Sequence, residues 1–284
     1  MIKRKKLFKA IILFFAISSF SFFYSFKHFT LLSLYEIEQT KYLLDTCSEE
    51  ERIAMNKLLE YVNNWCQFPY TLVEGKPMSV ANIVTSYAEL PKRVKKTFYS
   101  RKQLHKEYLL GFHSLQKLLK TKKSAFALML VNNIPCDGTS YVAIAHKPSL
   151  LTIFKKHEPL FQETVGSSLS AEALLNEFLS EGSFVQYRLF KNQKTLGILL
   201  GFGERNAELY AQKQREILQP FNDDLLFYVS KWRLPGFLCD PNSEETKQLK
   251  KHYKEIQKKI AWNYSVYDEK LTSLSLLLKP SSSP

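Results

Sequence analysis

The chain has 284 residues, 45% hydrophobic and 14% aromatic, with a formal net charge of +13 at pH 7. That apolar content can bury one sizeable core and excludes a chain that is disordered throughout. Charged residues make up 24%, an ordinary share, so the positive excess must come from where the basic residues are concentrated.

The first such place is the start. Lys3, Arg4, Lys5, Lys6 and Lys9 precede Ala10 to Phe26, a run of 17 residues without a charge. Basic residues stay on the cytoplasmic side while apolar ones partition into lipid, which predicts an N-inside, C-outside orientation. As a helix the run reaches about 25 Å, against roughly 30 Å of hydrocarbon, and Lys9 can snorkel so that Leu7 and Phe8 lengthen it. Residues 1–27 therefore read as a signal-anchor or a signal peptide. A retained single-pass anchor is the favoured outcome, and a secreted or periplasmic protein follows if the segment is cleaved. A buried core helix fits less well, because five basic residues stand in front of it.

Residues 28–68 read as a helical hairpin packed on the main domain. The first helix is expected over 30–46. Ser48 and Glu51 have the spacing of a capping box that opens the second, whose stripe is Met55, Leu58, Leu59, Val62, Trp65 and Cys66 and which should stop at Pro69. Residues 69–84 read as short extended pieces around a Gly75-Lys76-Pro77 turn. The spacing of Leu104, Tyr108, Phe112, Leu115 and Leu119 predicts an amphipathic helix over 101–120. Ala125–Val131 and Tyr141–Ala145 read as paired strands around a loop containing Cys136.

Farther on, 149–161 reads as a helix broken near Pro159. Ser170 should cap a helix ending at Leu179, with Gly182 past its end. Thr195–Phe202 reads as an apolar strand, and Glu204–Leu218 as a helix. Asn242, with Glu245 three residues on, should start the last long helix, striped by Leu249, Tyr253, Ile256 and Ile260. The predicted fold class is α+β: one helix-rich globular domain over 69–278 around a small sheet, with a disordered tail at 279–284.

The second concentration of charge is at 92–123, where eleven basic residues face one acid, Glu107. Lys92, Arg93, Lys95, Lys96, Arg101, Lys102 and Lys106 form its densest part, and Lys117, Lys120, Lys122 and Lys123 its end. Such an element attracts polyanions or lipid headgroups, or is a solvated helix face whose lysine stems cover apolar surface. No nucleic-acid motif accompanies it, so specific nucleic-acid binding is not expected.

Chemical motifs are sparse. Gly201-Phe-Gly203-Glu-Arg205-Asn206 could bring a backbone close to a small ligand, with Arg205 and Asn206 as contacts. Asn206 occupies the third glycine position of a dinucleotide fingerprint, however, and Glu204 would repel a phosphate, so a structural turn competes with that reading. His105 and His113 lie eight apart, too far for a helical metal pair, and no metal or cofactor is expected. Cys136 could be a nucleophile if His113 or His146 came within reach as its base. Four cysteines, at 47, 66, 136 and 239, allow three pairings that the sequence does not distinguish. The first functional expectation is therefore an exported, membrane-anchored, non-catalytic protein that docks an anionic surface or a protein partner. The alternative is an exported hydrolase-type enzyme using Cys136 or the groups near Gly201–Asn206.

Overall fold

A computed structural model describes residues 32–65, 67–84, 102–131, 139–214, 216–221, 232 and 234–280. Residues 1–27, read above as a signal-anchor or signal peptide, the basic residues of 92–101 and Cys136 lie outside the described residues. No helix among the described residues is long and apolar enough to cross a membrane.

The fold is α+β, helix-rich, with a small antiparallel sheet in the middle. The elements run α1 (Leu34–Asp45), α2 (Glu49–Trp65), α3 (Phe68–Leu72), β1 (Met78–Val84), α4 (Lys102–Thr121), β2 (Phe126–Val131) and β3 (Thr139–His146). There follow α5 (Lys147–Lys156), α6 (Glu158–Val165), α7 (Ala171–Leu179), α8 (Phe184–Lys191), α9 (Gln193–Leu199) and α10 (Glu204–Ala211). A two-residue ladder, β4 (Gln219–Pro220) with β5 (Leu238–Cys239), precedes α11 (Glu244–Val266) and α12 (Glu269–Leu277).

The main sheet has the order β1-β3-β2, antiparallel throughout, with Met78 opposite Ala145 and Phe126 opposite His146. Both of its faces are covered. On β2, Phe126, Leu128 and Leu130 enter one core while Met129 and Val131 enter the other. On β3, Val142 and Ile144 oppose Ala143 and Ala145 in the same way. Alternation in an antiparallel strand normally separates core from solvent. Here it separates two cores, which is why 126–131 reads as an unbroken apolar run.

The first core collects α1–α4, α11 and α12 around Phe112, Leu58, Tyr253 and Leu276. The second collects α5–α10 around Phe154, Phe161 and Phe178. Each fully buried aromatic contributes roughly 1.5–3 kcal/mol. Within the first core, α2 packs on α4 so closely that a Cβ on Gly111 would lie 2.4 Å from the Ala54 carbonyl oxygen.

Several expectations are met in detail. The Ser48–Glu51 capping box forms in both directions, at 2.8 and 3.2 Å. Ser170 caps α7 by accepting from the Ala173 amide, and β2 pairs with β3. The break near Pro159 falls between α5 and α6.

Other expectations are corrected. Thr195–Phe202 is not a strand: 193–199 is helical. Asn192 Oδ1 accepts from the amides of Lys194 and Thr195 at 3.0 and 3.1 Å, nucleating a turn that a short apolar run leaves ambiguous. Pro69 does not end α2 but sits in the first turn of α3, where a missing N–H costs nothing. Helix α10 stops at Ala211, beyond which Lys213 is left-handed, φ 59°. Ser243, not Asn242, caps α11, accepting from Thr246 at 3.1 Å.

Ile37 of α1 and Met55, Leu58 and Leu59 of α2 belong to the same core as α4 and α12.

Helix α12 has no counterpart in the sequence reading. It is buried nearly all round, so its serines need internal partners. Ser273 accepts from Asn63 at 2.7 Å and meets the Tyr264 hydroxyl at 2.7 Å, and Ser275 donates to Thr40 at 2.8 Å. Beyond it, the Lys279 carbonyl accepts from the Ala125 amide at 3.0 Å, and Pro280 bridges Ser124. Lys279 and Pro280 are thus bonded into the fold rather than part of a free tail, and 281–284 lie outside the described residues. The Lys279 ammonium also reaches Glu36 of α1, at 3.6 Å.

Candidate functional site

Of the densest basic residues, Lys92, Arg93, Lys95, Lys96 and Arg101 lie outside the described residues, as does the side chain of Lys102. Lys106 is exposed and borders a groove of about 720 Å³ with Glu49, Glu50 and Ile53. Glu107, the single acid of the block, is held by Lys57 at 2.7 Å. At the other end of α4, Lys117, Lys120 and Lys123 are exposed, opposite the buried Phe112, Leu115 and Leu119.

A second lysine face emerges on α11. Lys247, Lys251, Lys254 and Lys258 are all exposed and recur at helical spacing. The sequence reading passed over it because Glu244, Glu245 and Glu255 lower the local count. In the fold, Glu244 pairs with Lys247 at 3.3 Å and Glu245 turns toward α10. The spacing of the lysines was the signal that could have found this face.

The Gly201–Asn206 turn joins two helices. Gly201 and Gly203 both have positive φ, 74° and 90°. The start of α10 is the kind of place where backbone N–H groups and the helix dipole attract an anion. That place is taken by Glu245, whose carboxylate accepts from the amides of Glu204 at 2.8 Å and Arg205 at 3.1 Å. The Arg205 guanidinium donates to Asp240 at 2.9 Å, and this bond holds the Asp240 carboxyl below its ordinary pKa. Asn206 is 1% exposed. It donates to the Phe202 carbonyl and Thr246, and accepts from the Asp240 amide at 2.9 Å. The polar groups the sequence brought together are thus engaged with β5 and α11.

Beside this turn lies a cleft of about 370 Å³, between α9, α10 and the chain entering β5. Its lining is largely apolar and includes Leu196, Leu200, Phe202, Tyr210 and Phe237. The size is that of a small-molecule site. Phe202 stacks on Phe237 at 4.5 Å, and Phe237 on Phe221 at 4.3 Å.

Behind Phe202 sits Lys76, which the sequence reading treated only as part of a turn. It is 3% exposed. Its ammonium lies 5.6 Å from the Phe202 ring centroid and 3.4 Å from Gln67 Oε1. No carboxylate pairs with it among the described residues, and burial pushes its pKa down to about 7. The turn that carries it is pinned on both sides: the amides of Gly75 and Lys76 donate to the Tyr70 carbonyl, His252 meets the Gly75 carbonyl at 3.1 Å, and the His146 amide donates to Pro77. Nothing in the local sequence distinguishes this lysine from a solvated one; only the packing does.

His113 is exposed. His146 is buried against Ser149, Nδ1 to Oγ 2.7 Å, and burial pushes its pKa down. The relation of either to Cys136 lies outside the described residues. Cys47 is a free thiol and Cys239 is buried in β5. No cluster of metal-ligating side chains occurs among the described residues.

Comparison of the chain with protein-family models, curated proteins and solved structures gives no match, so the chemistry of its own residues carries the functional reading.

Proposed function

We propose that the chain is an exported, membrane-anchored, non-catalytic interaction protein that docks an anionic surface through its lysine faces. The observation that carries this reading is the electrostatic layout of α4: Lys117, Lys120 and Lys123 face solvent, while Glu107 is neutralised by Lys57. The lysines of α11 support it, because two acids of that helix are engaged with Lys247 and α10. Each lysine near an anionic membrane surface contributes about 1 kcal/mol, so a few acting together give measurable, salt-sensitive binding. The N-terminal segment supplies the anchor and the orientation in this reading.

The test uses the full chain in zwitterionic nanodiscs, mixed with vesicles that do or do not contain phosphatidylserine. Binding to the anionic vesicles alone, falling between about 0.1 and 0.5 M salt, is expected. Replacing Lys117, Lys120 and Lys123 with Glu should weaken it, and Lys251, Lys254 and Lys258 replaced likewise reports whether α11 shares the task. Equal binding to neutral vesicles, unmoved by salt, would refute the docking role. Recovery of the intact chain in the soluble cytoplasmic fraction would refute the anchor.

A further inference from the structure

We propose that Lys76 is a nucleophilic amine that captures small apolar aldehydes or ketones entering the cleft between α9, α10 and β5. The inference is independent of surface docking and rests on a different part of the molecule.

Three observations converge. The first is placement: Lys76 is buried without a carboxylate partner among the described residues, in a turn whose backbone is fixed by α3, β3 and α11. Burying an ammonium against an amide oxygen and an aromatic ring, with no carboxylate partner among the described residues, is costly, and such an environment favours the neutral, nucleophilic amine. The second is adjacency. Phe202, over whose ring the amine lies, lines the cleft. So does Gly236, and a Cβ there would lie 3.8 Å from Gln67 Nε2, whose other amide atom accepts from Lys76. The amine is therefore directly behind the cleft wall. Phe202 is half-buried, and its ring must turn away from Phe237 to open the way between them. The third is the cleft's chemistry. An apolar space of about 370 Å³ holds a short hydrocarbon chain or a single ring, and Tyr210 and Gln193 are its polar border.

The covalent step balances without any further reagent. The Lys76 nitrogen lone pair adds to the carbonyl carbon as the C=O π electrons pass to oxygen, and one of the nitrogen's protons moves to that oxygen to give a carbinolamine. Loss of that oxygen as water, with a proton from the nitrogen, leaves the imine. The Gln67 carbonyl oxygen is positioned to accept from the nitrogen while it still carries a hydrogen.

The test is reductive trapping of the full chain at pH 7 with hexanal and cyanoborohydride, followed by peptide mass mapping. Burial lowers the Lys76 pKa to about 7, so Lys76 should be alkylated about tenfold faster or more than the lysines of α11. Excess 1-hexanol, which matches hexanal in size but cannot form an imine, should slow labelling of Lys76 and leave the α11 lysines unchanged. Labelling of Lys76 no faster than that of exposed lysines overturns the proposal, as does labelling that 1-hexanol leaves untouched.

Discussion

The Glu245 carboxylate occupies the space that a side chain on Gly203 would need: a Cβ built there lies 2.6 Å from its carboxyl carbon. The same carboxylate holds the first two amides of α10, forty residues away in sequence. The glycine and the acid therefore act as a unit. Gly203→Ala should cost about 1–3 kcal/mol, combining a positive φ with displacement of Glu245. Glu245→Gln should cost about 1 kcal/mol by weakening the charge at the helix start. Denaturant titrations of both variants and of the double variant should show non-additivity, because each change disturbs the same contact. Additive losses would separate the two.

Asp240 gives a pH dependence. Its carboxyl is held below the ordinary range first by Arg205, then by the backbone around Asn242 and Ser243. A carboxyl with a lowered folded pKa contributes stability above its unfolded value, near 4, and that contribution is lost as pH falls through the folded value. Thermal melts between pH 7 and pH 3 should show a smaller acid loss for Asp240→Asn than for the unaltered chain. Identical acid profiles would remove the Arg205 bond from the account.

For Lys76 the slope has the same sign, but the lowered pKa marks a penalty carried at low pH rather than a favourable bond. Between about 7 and 10.4 the unfolded chain binds a proton that the folded chain does not, so folding stability rises with pH across that window. Lys76→Met should stabilise the protein at pH 6, and the advantage should shrink steadily from pH 7 to pH 10. A difference that stays constant over that range would mean that Lys76 keeps its ordinary pKa in the fold.

Gly111→Ala tests the contact between α2 and α4. The added methyl would meet the Ala54 carbonyl oxygen at 2.4 Å, which is backbone and cannot rotate away. A loss of about 1–3 kcal/mol is expected by chemical denaturation, although alanine is the better helix former. Unchanged or raised stability would show that the two helices can separate without cost.

What the sequence made legible were elements with a local signature: the amphipathic period of α4, the Ser48 and Ser170 caps, and the apolar strand β2. Each needs only neighbours within one or two turns. The 195–202 stretch was misread because Thr-Leu-Gly-Ile-Leu-Leu has no period, and the Asn192 cap that decides the matter precedes it. Helix α12 was missed because burial all round removes amphipathic contrast. The candidate site was the least legible part. Lys76 differs from any solvated lysine only through Phe202 and Gln67, and Phe202 is 126 residues distant in sequence. The two faces of the sheet posed the same difficulty: alternation was present, but both sides lead indoors.

The bond between Thr40 and Ser275, and the pairing of Glu36 with Lys279, set the place where the chain enters the fold beside the place where it leaves. A passenger fused behind Pro280 would therefore emerge beside α1. The same proximity makes the fold a good subject for circular permutation. A short linker from 280 back to 32 would close the chain across a gap that the native contacts already hold together, so new ends could be cut elsewhere without unravelling α1 from α12.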